Sequence, residues 1–335
     1  MKAGQFRHEA LLYQDRDEFL AGAVQFIAES VAADEPVLVA TPLAGLTALR
    51  EALPDRAAAQ VRMVDMAWAG RNPGRILPAL LLRFADEYAG RPVRVLNEPV
   101  WPGRDELAYP ACVQHEALVN TAFAGQAAVI RCLYDARRLD RRALADAERT
   151  HPRLANAAGT RASERFTDPL AIAAAYHLPL PPPPATATVH PVDAGALGSL
   201  RERVAETASA AGLPGARVGD ATIAVNELAI NTVVHSGGAG TLAIWSKPGL
   251  LACQLTDSGY LTDPLTGRVP PARDSASGRG LYAVQQVCDL VRIHTVPGQT
   301  TVRVHLSAQP APPVALPPPG GVTVRPRPPL AAESA

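Results

Sequence analysis

Apolar positions in the first half of the chain change period repeatedly. Phe19, Leu20, Ala23, Phe26, Ile27 and Val31 recur at helical spacing, and Pro36-Val37-Leu38-Val39-Ala40 follows as a short continuous apolar run of strand length. Val61 to Met66 is a second strand candidate. Asn72 and Pro73 then supply an N-cap and a first-turn proline for a helix running to about Tyr88. The alternation continues with a strand at Pro92 to Leu96, a helix over about Glu106 to Ala124 and a strand at Ala128 to Tyr134. Strands alternating with helices predict an α/β region built on a parallel sheet covered on both faces.

The second half reads differently. Leu197 to Ala211 and Gly215 to His235 have the periodicity of two amphipathic helices, with Pro214 as the breaker between them. Gly240 to Ser246 and Leu250 to Thr256 predict a hairpin closed near Pro248-Gly249. A loop, a helix from about Gly280 to Val287, and strands at Leu290–Thr295 and Thr300–Leu306 complete an α+β layer. Two Pro-rich stretches punctuate these regions. Leu178 to Pro191 predicts a stiff, extended linker, and Ala308 to Ala335 a disordered tail. The expected division is therefore 1–177, a linker at 178–191, 192–307, and a tail at 308–335.

Thirty-two basic residues balance thirty-two acidic ones. No basic stripe runs along either region, which argues against nucleic acid as a direct partner. The N-terminus lacks a signal peptide's apolar stretch, and no run approaches the roughly eighteen apolar residues of a membrane span. Cys112, Cys132, Cys253 and Cys288 are scattered and form no C-x-x-C pair, so neither a disulfide frame nor a zinc site is expected. The expectation is a cytoplasmic protein. His8, His115 and His151 are far apart and show no ligand spacing, so no metal is assigned to the first region.

Chemistry concentrates in three clusters of the second region. Glu227 and Asn231 are four residues apart on a predicted helix and share one face, one turn apart. Asp257-Ser258-Gly259 follows an apolar strand, and Gly278-Arg279-Gly280-Leu281 opens a helix, where free N–H groups favour phosphate. In this order the clusters resemble the nucleotide-binding set of the GHKL ATPases. The resemblance implies an ATP-binding sandwich in which Asn231 carries Mg²⁺, Glu227 orients or deprotonates an attacking hydroxyl, and Asp257 accepts from the adenine amino group. Gly259 would let the base approach, Gly278, Arg279, Gly280 and Leu281 would receive the phosphates, and the loop after Tyr260 would serve as a lid. Asp263-Pro264-Leu265-x-Gly267-Arg268, Ala229 to Gly238 and Leu281 to Asp289 are similar to the anti-sigma-factor serine/threonine kinase branch. That branch implies transfer to a STAS-type anti-anti-sigma partner, binding of a sigma factor, and a homodimer as a common assembly.

The first region has no G-x-x-x-x-G-K-[ST] or G-x-G-x-x-G loop. It resembles the MEDS sensory domain at His8 to Tyr13, Asn97 to Arg104, Gln114 to Asn120, Tyr134-Asp135 and Thr150-His151-Pro152. This implies a small-molecule or protein signal. A nucleotide-gated binding module without catalysis is the alternative to the kinase. A histidine kinase is disfavoured, because no amphipathic hairpin with an acceptor histidine precedes the second region. His190 lies in the Pro-rich linker, and His235 follows the Glu227–Asn231 helix.

Overall fold

The computed structural model describes residues 5–271, 278–309 and 322–323. The first region is built on β1 (Arg7–Tyr13), β2 (Val37–Thr41), β3 (Val61–Asp65), β4 (Val93–Asn97), β5 (Ala128–Asp135), β6 (Arg153–Asn156) and β7 (Gly159–Ala162). They lie in the order β3-β2-β4-β5-β1-β6-β7. The pairings are parallel throughout except for β6 with β7. Period-two geometry sends alternate residues to opposite faces. Val37 and Val39 join the core with Phe26, Ile27 and Leu49, whereas Leu38 and Ala40 join the core with Ile76, Leu81 and Phe84. Both faces are covered, so strands such as Val37–Thr41 are buried along their whole length.

Three features depart from the sequence reading of this half. His8 to Tyr13, read only as a family block, is an interior strand, because the charge of Glu9 inside it is met by Arg131 at 2.8 Å. The helix after Asn72 keeps its expected cap, with Asn72 Oδ1 accepting from Gly74 N at 3.2 Å. It then widens to a π-helix over Ile76–Leu82 before resuming at Arg83–Glu87. Pro78 lies inside that turn; it has no N–H and crowds the preceding carbonyls, and a wider turn accommodates it. The sheet also gains β6–β7 as an antiparallel pair at its edge.

The second sheet contains β8 (Thr188–Val192), β9 (Gly240–Lys247), β10 (Leu250–Asp257), β11 (Leu290–Val296) and β12 (Gln299–Ser307) in the order β11-β12-β10-β9-β8. Every pairing is antiparallel. Helices Leu197–Ala210, Gly215–His235 and Arg279–Val287 are packed with it around one core that includes Val204, Val225, Leu228, Ile244, Leu255 and Val304. Part of the stretch read as a linker is therefore strand: β8 pairs along β9 from Thr188 to Val192. Most of the Pro-rich tail lies outside the described residues, but Val322–Thr323 form β13, which pairs in parallel with β3.

The two regions are packed against each other. Asn72 Nδ2 donates to the Gln285 backbone and side-chain oxygens, both at 2.9 Å. Arg71 meets Asp289 at 2.6 Å, and Leu290 belongs to the core of the first region. All four cysteines are buried and free. No helix among the described residues is long and apolar enough to cross a membrane.

Candidate functional site

A cavity of about 560 Å³ opens between the Gly215–His235 helix, the end of β10 and the loop after Tyr260. Asn231, Asp257, Gly259, Gly278 and Leu281 line it, with Leu228, Leu255, Ile293 and Val302 as apolar wall. That balance, a few polar groups in an apolar cleft, suits a flat heteroaromatic ligand with a polar appendage. Asp257 ends β10 and is held by two donors: Thr232 Oγ1 reaches Oδ2 at 2.7 Å, and Gly259 N reaches Oδ1 at 2.9 Å. Each carboxylate oxygen keeps a further lone pair for an incoming amine.

Glu227 and Asn231 are indeed stacked on one helix face, and that face meets the start of the Arg279–Val287 helix. A side chain at position 280 would place its Cβ 2.7 Å from Glu227 Oε2 and 3.4 Å from Asn231 Oδ1. Glycine there brings the helix start, with its free N–H groups, directly against the two polar side chains. Gly278, the N-cap, has φ +84, a left-handed conformation that glycine adopts without strain. Glu227, Arg279 and Gly280 stand beside the cavity rather than in its lining, and Arg279 is exposed.

The loop from Tyr260 to Pro271 contributes Leu261, Leu265, Gly267 and Val269 to the cavity wall. Residues 272–277, the rest of the expected lid, lie outside the described residues. From this loop Arg268 reaches across to the first region, where its Nη2 donates to Gln114 Oε1 at 2.7 Å. Arg268 is buried, which lowers its guanidinium to about 10.

Family comparison agrees with this geometry. Residues 7–152 match the MEDS family, described as the MEthanogen/methylotroph, DcmR Sensory domain, and residues 190–306 match the histidine kinase-like ATPase domain. The chain is a MEDS sensory domain fused to a GHKL-type ATPase domain. Among solved structures, the RsbU and RsbW domains of Rv1364c from Mycobacterium tuberculosis align at 15% identity with a TM-score of 0.27, covering 37% of this chain and 32% of that chain. This chain thus spans about a third of that one, and so slight a likeness carries no argument about activity or partners. No curated protein matches the chain.

The ATPase domain belongs to an ATP-binding class, and its side chains fit that ligand. Asp257 and Asn231 line one cavity, and the glycine-shaped approach at Gly280 lies beside it, against Asn231. Thr232 and Ser236 are additions that the sequence reading did not make. Thr232 immediately follows Asn231, and its hydroxyl fixes Asp257; Ser236 lines the cavity one turn later. The only sequence signal for either was a hydroxyl close behind the Asn.

The MEDS domain has its own cavity, about 1250 Å³, at the carboxyl ends of its parallel strands. Tyr13, Glu98, Trp101, Asp135 and Arg138 help to line it. Open parallel sheets bind ligands at this edge. Burial pushes the Glu98 carboxyl up to about 7, against the opposing effect of hydroxyl donation from Thr41 and Tyr13. The histidines read as unrelated are not all apart: the His8 and His151 ring centroids are 4.0 Å from each other.

Proposed function

We propose that the ATPase domain binds Mg-ATP and acts as a serine/threonine kinase on a STAS-type anti-anti-sigma partner, under control of the MEDS domain. The observation that carries this reading is the stacking of Glu227 and Asn231 against the Gly280 helix start. Asp257, oriented by Thr232, would accept from the adenine amino group, and Asn231 Oδ1 would hold the cation, which prefers hard oxygen ligands. Bound Mg-ATP would supply the phosphoryl group with its charge partly neutralised by the metal. The N–H groups at the start of the Arg279–Val287 helix would orient the phosphates. Glu227 would take the proton of the incoming hydroxyl. Phosphorylation adds charge to the partner and disrupts the surface it presents, which would release or recapture a sigma factor. The signal would be a small molecule or protein recognised by the MEDS domain, and the large cavity around Glu98 and Trp101 favours a small molecule.

A second reading is a nucleotide-gated module that sequesters its partner without catalysis. It is favoured by the position of Glu227, beside the cavity and not in its lining. Incubation with γ-labelled ATP and candidate STAS proteins separates the two. The kinase reading expects label on the partner that survives acid, as phosphoserine or phosphothreonine does. Nucleotide binding with no transfer to any partner supports the gated module, and acid-labile label would point to a histidine.

A further inference from the structure

Four side chains from four separate elements converge in the MEDS domain. His8 comes from β1, Cys132 from β5, Glu116 from the Tyr109–Ala122 helix, and His151 from the C-cap of the Arg141–Thr150 helix. Each is at most 1% exposed. His8 Nε2 lies 3.3 Å and His151 Nε2 3.0 Å from Glu116 Oε2, and Cys132 Sγ lies 3.5 Å from His8 Nε2. One ligand atom from each of the four falls within 4.8 Å of all the others.

The surrounding hydrogen bonds fix what these atoms present. His151 Nδ1 lies 2.8 Å from the Ala147 carbonyl, which only accepts, so Nδ1 carries the proton. Its other neighbour, Thr150 Oγ1, donates to Asp146 O at 2.8 Å. His8 Nδ1 faces Asn120 Oδ1 at 3.1 Å. The Asn120 amide is oriented by donation from Nδ2 to the carbonyls of Glu116, Ala117 and Thr150, at 3.3, 3.1 and 2.8 Å. His8 Nδ1 is therefore a donor as well. With each Nδ1 committed as a donor, it is the Nε2 atoms that turn inward, toward a carboxylate whose two oxygens find no hydrogen-bond partner, and an Nε2 facing a cation presents its lone pair. Such a cluster is costly unless a cation joins it.

We propose that His8, Glu116, Cys132 and His151 bind a borderline-soft divalent transition-metal ion of the Zn²⁺ class. The donor set mixes two imidazoles, a carboxylate and a thiolate, which suits such an ion and not Mg²⁺ or Ca²⁺. Zinc bonds of about 2.0–2.3 Å in a tetrahedron set ligand atoms roughly 3.3–3.6 Å apart. The observed separations of 3.0, 3.3 and 3.5 Å lie close to that range. Binding displaces the Cys132 thiol proton to solvent. The Asn120 and Ala147 contacts supply the outer-shell acceptors that metal-bound histidines use to fix their tautomer. Four protein ligands leave no open position, so the site is a structural clamp, loaded during folding, that ties two strands to two helices. It departs from the sequence reading, which assigned no metal to the first region. His8 and Cys132 are 124 residues apart in sequence, and only the parallel register of β1 on β5 makes them neighbours.

The test uses the full chain expressed in Zn²⁺-supplemented medium, dialysed, and assayed by elemental mass spectrometry. The proposal expects about one zinc per chain. Chain refolded with Co²⁺ should show a thiolate-to-cobalt charge-transfer band and intense tetrahedral d–d absorption. Cys132→Ser should lose the charge-transfer band, whereas Cys253→Ala should keep it. His151→Gln should weaken Co²⁺ binding by more than about 100-fold, beyond the cost of losing a mere supporting contact. Natively folded wild type with neither bound zinc nor a cobalt band overturns the proposal, as does a band that persists in Cys132→Ser.

Discussion

At the residue scale, single side chains in each domain carry separable tests. Asp257→Asn turns a charge-assisted acceptor into an amide that presents a donor to the adenine amine. ATP affinity should fall by about 1.5–3 kcal/mol, read by calorimetry on the full chain. An unchanged dissociation constant would remove Asp257 from the site. Glu98 is tested by pH. Its carboxyl titrates at about 7 in the folded protein against 4.5 for an ordinary glutamate. A raised acid contributes its full stability below the unfolded value and loses it as pH rises through the folded value. The stability of Glu98→Gln relative to wild type should therefore climb by up to about 3 kcal/mol between about pH 4.5 and pH 7, then level off. Parallel denaturation profiles across that range would contradict the assignment. These residues also show where sequence reading ends. Glu227, Asn231 and Asp257 were legible because four-residue helical spacing and a strand end are local signals. Thr232 needed the contact with Asp257, 25 residues away, to acquire a role. His8, Glu116 and His151 each fall in a block that carries the MEDS resemblance, but nothing local in the sequence shows that they meet one another and Cys132.

At the element scale, the decisive juxtaposition is one helix start against another helix face. Gly280→Ala adds a Cβ 2.7 Å from Glu227 Oε2. Alanine is the better helix former by roughly 1 kcal/mol, so global stability should change little while the helix start is pushed off the Glu227–Asn231 face. Affinity for a fluorescent ATP analogue should drop by about tenfold or more, equivalent to at least about 1.4 kcal/mol. Retained affinity would mean that the close approach does not shape the phosphate site. Most elements of both domains could be read from periodicity, because their cores are continuous and their breakers strong. The exceptions have physical reasons. Charged Glu9 hid a strand, since its partner Arg131 is distant in sequence. Pro78 hid a π turn inside a helical pattern. The prolines before Thr188 hid the start of β8, whose pairing with β9 is set by the sheet edge.

At the scale of the whole molecule, the Tyr109–Ala122 helix connects the MEDS interior to the loop that walls the ATPase-domain cavity. It carries Glu116 inward and offers Gln114 to Arg268 of the loop over the cavity. Gln114→Leu takes away an acceptor from a buried guanidinium and should cost about 1–3 kcal/mol in overall stability. It should also loosen the loop, raising both association and dissociation rates of a fluorescent nucleotide in stopped-flow. Rates equal to wild type would show that the contact does not restrain the lid. The central claim, a metal-assisted kinase under sensory control, rests on Glu227 as the base. Its most direct test is phosphotransfer to a STAS partner at saturating Mg-ATP, measured for wild type beside Glu227→Gln. The amide retains size and hydrogen-bonding reach but accepts no proton at neutral pH. The account predicts transfer reduced by about 10²–10⁴-fold with Mg-ATP affinity retained. Transfer by Glu227→Gln at the wild-type rate would contradict it.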